Sequence, residues 1–265
     1  MATPVIQRHH VQIVGTGPVT LVLAHGFACD QTIWRRVVPE LASHYRLVLF
    51  DHAGHGVAET FDPQRHASLD GYAEDVADIL SALDLWDVVY VGHSASAMIG
   101  VLASALVPRR IGRMVMLAPS PCYINHPQDN YVGGFDLASI HDMLATMDRN
   151  YQGWAAQLAQ IASSEGVTGP IHIEMRRRLF AMDPAMASLF AHAIFLSDLR
   201  DTIKGFALPS LIIQCSDDPI APVSAGEYMA RVMRAARMHT VELHGHMPQL
   251  ANAPLVCSLI RNFVQ

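Results

Sequence analysis

A chain of 265 residues, 51% apolar and 16% charged, is too hydrophobic for disorder and long enough to bury a full core. A formal net charge of −6, with no basic run beyond Arg176-Arg177-Arg178, argues against a nucleic-acid partner, and those arginines read as the solvated face of a helix. No stretch has the length of a membrane span, and the N-terminus lacks the continuous apolar segment of a signal peptide. Cys29, Cys122, Cys215 and Cys257 form no C-x-x-C pair, so the expectation is a cytoplasmic chain with reduced thiols.

Along the chain, Val5–Val14 and Val19–Ala24 read as two strands joined by Gly15-Thr-Gly-Pro18, and the spacing predicts an antiparallel hairpin at a sheet edge. His25-Gly26-Phe27 follows, then a helix over Gln31–Ser43, a buried strand over Arg46–Phe50 and a glycine-containing loop, Asp51 to Gly56. Leu69–Leu83 has the apolar and acidic pattern of an amphipathic helix. Val88–Val91 is an unbroken β-branched and aromatic run, the pattern of a strand buried on both faces of a parallel sheet. A small, apolar helix follows over Ala95–Val107, and Arg113–Ala118 is one further strand.

The alternation then stops. Between about Cys122 and Arg200 no run reads as a strand. Four helical pieces appear instead, near 136–147, 151–162, 171–180 and 184–195, bounded by Asn150, Gly166, Gly169-Pro170 and Asp183-Pro184. Strands return at Ser210–Cys215 and Met238–Leu243, with a helix over Glu227–Ala236 between them and another, Leu255–Phe263, closing the chain. The expectation is one α/β core, 1–121 and 201–265, interrupted by a helical lid over 122–200.

Ser94 sits at an abrupt strand-to-helix junction, Gly92-His93-Ser94-Ala95-Ser96, the form of a nucleophile elbow with serine in place of the last glycine. The alternative for such a serine is a simple helix cap. Ligands of an open parallel sheet bind past the carboxyl ends of the strands. The residues there are His25-Gly26-Phe27, Asp51-His52, His93-Ser94, Ser120, Ser216-Asp217-Asp218 and His244-Gly-His246. Serine, acid and histidine occur in the order of an α/β-hydrolase triad, predicting Ser94 as nucleophile, His246 as base and Asp218 as the carboxylate that orients it. Order alone leaves Asp217 against Asp218, and His244 against His246, undecided. The backbone N–H groups of Phe27 and Ala95 are the expected oxyanion donors. His25 and His52 read as loop anchors, His93 as a support of the elbow, and His9 and His10 as solvent-facing edge residues. With 15 histidines but no H-E-x-x-H or C-x-x-C spacing, and no G-x-G-x-x-G opening a helix, neither a metal nor a nucleotide cofactor is expected.

The chain also resembles a specific branch of the α/β-hydrolases, that of the bacterial stress regulator RsbQ and the plant karrikin and strigolactone receptors. The resemblance is carried by His25-Gly-Phe-Ala-Cys-Asp-Gln31, Val91-Gly-His-Ser-Ala-Ser-Ala-Met-Ile-Gly100, Ser120-Pro-Cys-Tyr123, Gly133-Gly-Phe135, Asn150-Tyr-Gln-Gly-Trp154, Phe195-Leu-Ser-Asp-Leu-Arg200, Gln214-Cys-Ser-Asp-Asp-Pro-Ile-Ala-Pro222 and Gly245-His-Met-Pro-Gln-Leu250. It implies a mostly parallel sheet of eight or seven strands flanked by helices, with a four-helix cap over an apolar cavity. It selects Asp218 and His246, and makes Ser96 part of the pattern. It implies that Phe27, Tyr123, Phe135, Trp154, Phe190, Phe195 and Met247 line or approach the cavity. The activity implied is hydrolysis of a small hydrophobic ester or butenolide-like lactone without a cofactor. The alternatives are a ligand sensor that signals to a protein partner through its lid, and perhydrolysis on the same scaffold.

Overall fold

Short apolar runs bounded by turn residues bury most easily as parallel strands covered by helices on both faces. In the computed structural model, which describes residues 4–58, 61–163 and 165–265, they do so in a seven-stranded sheet ordered β1-β3-β2-β4-β5-β6-β7. The first elements are a helical turn α1 (Val5–Arg8), strands β1 (Gln12–Val14) and β2 (Thr20–Ala24), a further turn α2 (Val38–Leu41) and β3 (Arg46–Leu49). Helix α3 (Leu69–Ala82), β4 (Val88–His93), α4 (Ala95–Leu106) and β5 (Ile111–Leu117) follow. Then come α5 (Leu137–Arg149), α6 (Tyr151–Ala162), α7 (Pro170–Ala181) and α8 (Pro184–Phe195), all between β5 and the next strand. The turn α9 (Arg200–Ile203), β6 (Ser210–Asp217), α10 (Val223–Val232), β7 (Ala236–His244), α11 (Pro248–Ala251) and α12 (Ala253–Val264) complete the chain. Every pairing is parallel except that of β1 with β3.

The N-terminal hairpin expected from sequence is not formed. Val5–Arg8 is helical, and β1 pairs antiparallel with β3 rather than with β2, because β3 is inserted between them. Gly15 and Gly17 make this crossing possible. A Cβ at Gly15 would lie 2.3 Å from the Tyr45 carbonyl oxygen, and one at Gly17 would lie 2.0 Å from that of His44. These glycines therefore let two backbones touch rather than turn a hairpin. The expected helix over Gln31–Ser43 is broken into a 3₁₀ turn, Gln31–Trp34, and the single turn α2.

The inserted helices start where their capping residues predict. Asp136, Asn150 and Asp183 accept the N–H groups of Ser139, Gly153 and Ala185, satisfying first-turn donors of α5, α6 and α8. Pro170 opens α7, where its missing N–H costs nothing. Arg176 and Arg177 face solvent as expected, but Arg178 is buried. It pairs with Asp30 at 2.6 Å and with Glu174 at 2.8 Å, and so ties α7 to the loop after β2. Burial alone would raise the Asp30 carboxyl, but hydrogen bonds from Arg178 and Thr32 outweigh it and hold the pKa at about 2.

Beneath the strand ends lies a group of buried histidines. His9, expected at the surface, is buried; its ring donates to the Asp51 carbonyl at 3.0 Å and lies 3.8 Å from the buried Asp75. His10 is exposed. His25 donates from Nδ1 to the Gly26 carbonyl and accepts the His52 N–H at Nε2, which fixes its tautomer. His52 Nε2 lies 2.7 Å from Ser96 Oγ, which itself donates to the His25 carbonyl. Ser96 therefore ties α4 to the loops after β2 and β3. Burial holds His25 neutral down to about 4 and His55 to about 3, and pushes His52 well below its ordinary value.

Two measurements test this architecture. A Cβ on Gly92 would lie 2.6 Å from the Ser96 carbonyl oxygen and 2.7 Å from the Ala97 nitrogen, both backbone atoms of the elbow. Gly92→Ala is therefore expected to cost roughly 2–4 kcal/mol in urea denaturation. The histidines set an acid limit. Below the unfolded value of 6.5, the unfolded chain takes up protons that folded His25, His52 and His55 refuse until well below it. Each should remove up to about 1.4 kcal/mol of stability per pH unit as pH falls from 6.5 toward 4. A urea midpoint that stays flat between pH 7 and pH 5 contradicts this.

Candidate active site

Ser94 begins α4 with φ 56° and ψ −123°, a conformation that side-chain-bearing residues rarely adopt. Such strain persists only where the surroundings over-determine it. Here the Ser94 N–H donates to the Leu117 carbonyl of β5 at 2.8 Å, its own carbonyl accepts from Ala97 at 2.9 Å, and Gly92 lets the strand press against the first turn of the helix. The hydroxyl makes no helix-capping bond, so the capping alternative does not describe it.

The Ser94 hydroxyl instead meets His246 Nε2 at 2.8 Å, and His246 Nδ1 meets Asp218 Oδ2 at 2.7 Å. An ionised carboxylate can only accept, so the imidazole proton sits on Nδ1 and the Nε2 lone pair faces the serine hydroxyl. The other Asp218 oxygen accepts the N–H groups of Ile220 at 2.9 Å and Ala221 at 3.1 Å, so both carboxylate oxygens are satisfied in a buried place. The two choices left open by chain order separate cleanly. Asp217 pairs with His244 at 2.6 Å, but both side chains are mostly exposed, at 74% and 55%. A bulge in β6 between Cys215 and Asp217 accompanies this split between a surface pair and a buried one.

His93 supports the arrangement from behind. Its Nε2 donates to the His246 carbonyl at 2.9 Å, and its Nδ1 would lie 2.7 Å from a Cβ on Gly26. Burial holds the ring neutral, with its pKa at about 3. The loop after β2 can therefore approach the elbow only with glycine at 26. Among the described hydrogen bonds, the N–H groups of Phe27 and Ala95 reach no protein acceptor.

The cavity above Ser94 is nearly all apolar. Of the expected lining residues, Phe27, Tyr123, Phe195 and Met247 form its wall with Ser94 and His246. Phe135, Trp154 and Phe190 stand outside that wall. Phe190 stacks on Tyr72 with centroids 4.2 Å apart, Trp154 lies 6.0 Å from Phe27, and Phe135 bridges to Ile124 in the approach to α5. The remaining wall includes Ala28, Ile220 and five side chains of the inserted helices, Leu158, Ala162, Met175, Leu179 and Ile194. Leu158 and Ala162, like Met175 and Leu179, are four residues apart on one helix face, an ordinary helical spacing that by itself does not distinguish cavity lining from core packing. Space for the centres of water-sized molecules amounts to about 40 Å³. Burial raises the Tyr123 phenol to about 12, with the Ser94 hydroxyl opposing part of the rise, so the phenol stays protonated at neutral pH. Burial likewise raises Cys29 and Cys215 to about 12, which keeps both as thiols rather than nucleophilic thiolates.

Comparison with known proteins shows the family. The model of the alpha/beta hydrolase family matches residues 21–257. A karrikin insensitive 2 receptor of Petunia hybrida is 36% identical over 257 residues, covering 96% of this chain and 94% of the relative. A strigolactone esterase of Arabidopsis thaliana is 33% identical over 260 residues, covering 97% and 96%. Among solved structures, a hydrolase from Oleispira antarctica superposes with a TM-score of 0.95 at 38% identity, covering 98% of this chain and 96% of that one. Matched by the family model across most of its length and by relatives above 30% identity along nearly all of it, the chain belongs to the α/β-hydrolase family.

Proposed function

We propose that this protein is a serine hydrolase that cleaves a small, apolar ester or lactone through an acyl-enzyme intermediate. The observation that carries the reading is the continuous hydrogen-bonded chain Ser94–His246–Asp218, open at its serine end to an apolar cavity. As His246 Nε2 takes the hydroxyl proton, Ser94 Oγ attacks the carbonyl carbon and negative charge moves to the carbonyl oxygen. The unpartnered N–H groups of Phe27 and Ala95 are the donors proposed to receive that charge. Asp218 stabilises the imidazolium without taking its proton. Collapse of the tetrahedral species breaks the ester C–O bond, and His246 protonates the departing alkoxide. Water, deprotonated by His246, then releases the acid from Ser94. With a lactone, alcohol and acid leave as one hydroxy acid.

In this reading residues 122–200 form the lid and 1–121 with 201–265 the core. Six lining side chains come from the inserted helices, which supports control of access by that segment. The small free volume favours compact substrates, since larger ones require side chains such as Leu179 to move. The four buried, free cysteines support a reducing compartment such as the cytoplasm, and no helix of the described residues is long and apolar enough to cross a membrane.

A second reading is favoured by one finding: the relative at 36% identity is named a receptor. In that case the same chemistry would run slowly, and the lid over a bound ligand or an acylated Ser94 would address a protein partner. Pre-steady-state kinetics separate the two. A catalyst turns over many equivalents, whereas a sensor releases about one equivalent of alcohol and then stalls with an acyl mass on Ser94.

Turnover of p-nitrophenyl acetate is expected to vanish in Ser94→Ala and to fall about 10⁴-fold in Asp218→Asn. Asp217→Asn, in the exposed pair, should stay within about twofold of the parent. Undiminished activity in Ser94→Ala would sink the mechanism. For the cavity, Leu179→Ala removes part of the wall and should raise the kcat/KM ratio of hexanoate to acetate ester by roughly tenfold or more. An unchanged ratio in a folded variant detaches this cavity from acyl recognition.

A further inference from the structure

The inserted helical segment leaves β5 through Cys122–His126 and returns toward β6 through Asp198. These two stretches meet at its base. Cys122 and Asp198 form an antiparallel backbone bridge, and the Leu199 N–H donates to the Pro121 carbonyl at 2.8 Å. At this junction Cys122 Sγ lies 3.6 Å from His126 Nε2, and that nitrogen lies 3.8 Å from Asp198 Oδ2. All three atoms fall within 4.8 Å of one another. We propose that Cys122, His126 and Asp198 form a binding site for a zinc-class divalent cation that fastens the two ends of the inserted segment together.

The distances are those of a coordination sphere. Zinc–sulfur and zinc–nitrogen bonds of about 2.3 and 2.05 Å at a tetrahedral angle set sulfur and nitrogen about 3.6 Å apart. Thiolate, imidazole and carboxylate together suit Zn²⁺ or Co²⁺ rather than Mg²⁺ or Ca²⁺, which take oxygen ligands. Three protein ligands leave one position for water. The His126 and Asp198 side chains, 24% and 39% exposed, provide entry, while Cys122 is buried behind them.

The site is also rigid before any metal arrives. His126 and Tyr131 exchange both backbone hydrogen bonds, at 3.0 and 3.1 Å, and the Tyr131 hydroxyl donates to the Cys122 carbonyl. Arg200 holds Asp198 through both carboxylate oxygens, Oδ1 accepting from Nε at 2.9 Å and from the Arg200 N–H at 3.1 Å, and Oδ2 from Nη2 at 2.7 Å and Nε at 3.1 Å; it also bonds Asp129 at 2.9 Å. Oδ2, 3.8 Å from His126 Nε2, frees a lone pair for the metal by giving up its longer, 3.1 Å bond from Arg200. The Gln128 side-chain nitrogen lies 3.4 Å from His126 Nδ1; turning the amide end for end brings its oxygen to the ring, where it accepts Nδ1–H and leaves Nε2 to coordinate. On binding, the cation sheds water, the Cys122 thiol releases its proton to buffer and a sulfur–metal bond forms. The charges then close: a divalent cation and Arg200 balance the Cys122 thiolate, Asp198 and Asp129. Tyr123, next in the chain to Cys122, is a wall of the cavity over Ser94, so occupancy of the junction would stiffen that wall. The inference does not depend on which reaction the cavity serves.

Titration of the metal-free, full-length protein with Co²⁺ tests it. One equivalent should produce a thiolate-to-cobalt band in the near ultraviolet and tetrahedral d–d bands in the visible. The near-ultraviolet band should be lost in Cys122→Ser and kept in Cys257→Ser, and saturable binding should be lost in His126→Ala. In parallel, Zn²⁺ at a hundredfold excess over its dissociation constant should raise Tm by about 5 °C in the parent and leave His126→Ala unmoved. No thiolate band in the parent, or a band that survives Cys122→Ser, overturns the proposal. If Cys122→Ser fails to fold, the half-exposed positions decide: a Zn²⁺-induced rise in Tm that persists in both His126→Ala and Asp198→Asn overturns it equally.

Discussion

A neutral imidazole carries one proton for two nitrogens, so a histidine can accept from a serine only if something else holds that proton on its far side. In this protein the constraint is met by the His246 bonds of 2.7 Å to Asp218 and 2.8 Å to Ser94, and the surrounding structure exists to keep those lengths. The three side chains follow β4, β6 and β7, and parallel pairing brings the carboxyl ends of those strands to one edge. His93 grips the His246 carbonyl, and the Ile220 and Ala221 N–H groups hold the carboxylate. Take away any of these and the imidazole loses its direction before the fold loses its sheet.

The elbow shows how such a constraint propagates into composition. Gly92 is required because a Cβ there would lie 2.6 Å from the Ser96 carbonyl oxygen and 2.7 Å from the Ala97 nitrogen, both backbone atoms. Ser96, where the elbow pattern usually has glycine, points the other way and ties His52 to the His25 carbonyl. A glycine there would leave two buried polar groups without a partner, which is costly in a low-dielectric interior. Serine at this position is thus the complement of a histidine-rich layer beneath the strand ends.

Charged and backbone contacts tie the inserted helices to the core. Arg178 of α7 binds Asp30 in the loop that also carries Phe27, so the helix and a proposed oxyanion donor share one charged anchor. At the other side, the entry and exit of the segment are zipped by the bridge between Cys122 and Asp198. Between these points the His246 N–H donates to the Ala162 carbonyl at 3.0 Å, so the end of α6 is tied directly to the histidine that faces Ser94.

Chain order and local pattern were enough to determine the alternation of strands and helices, the inserted helical segment, the elbow at Ser94 and the set of groups at the strand ends. Each is a local property: β-branched runs, capping residues and a serine at a tight junction act within a few residues of themselves. Tertiary structure decided what depends on who lies opposite. It slid β3 between β1 and β2 and abolished the hairpin, because Gly15 and Gly17 are shaped for contact with residues 42–45, not with each other. It buried His9 and Arg178, whose partners Asp75 and Asp30 are remote in sequence. It set Trp154 and Phe190 behind Phe27 rather than in the cavity wall, and put Met175 and Leu179 there. It joined Cys122 and His126 to Asp198 across the whole helical insertion, a spacing that no short motif encodes. Above all it separated Asp218 from Asp217 and His246 from His244: the two aspartates are adjacent and point apart at the end of β6, and Gly245, with φ 95°, turns the chain between the histidines at the end of β7.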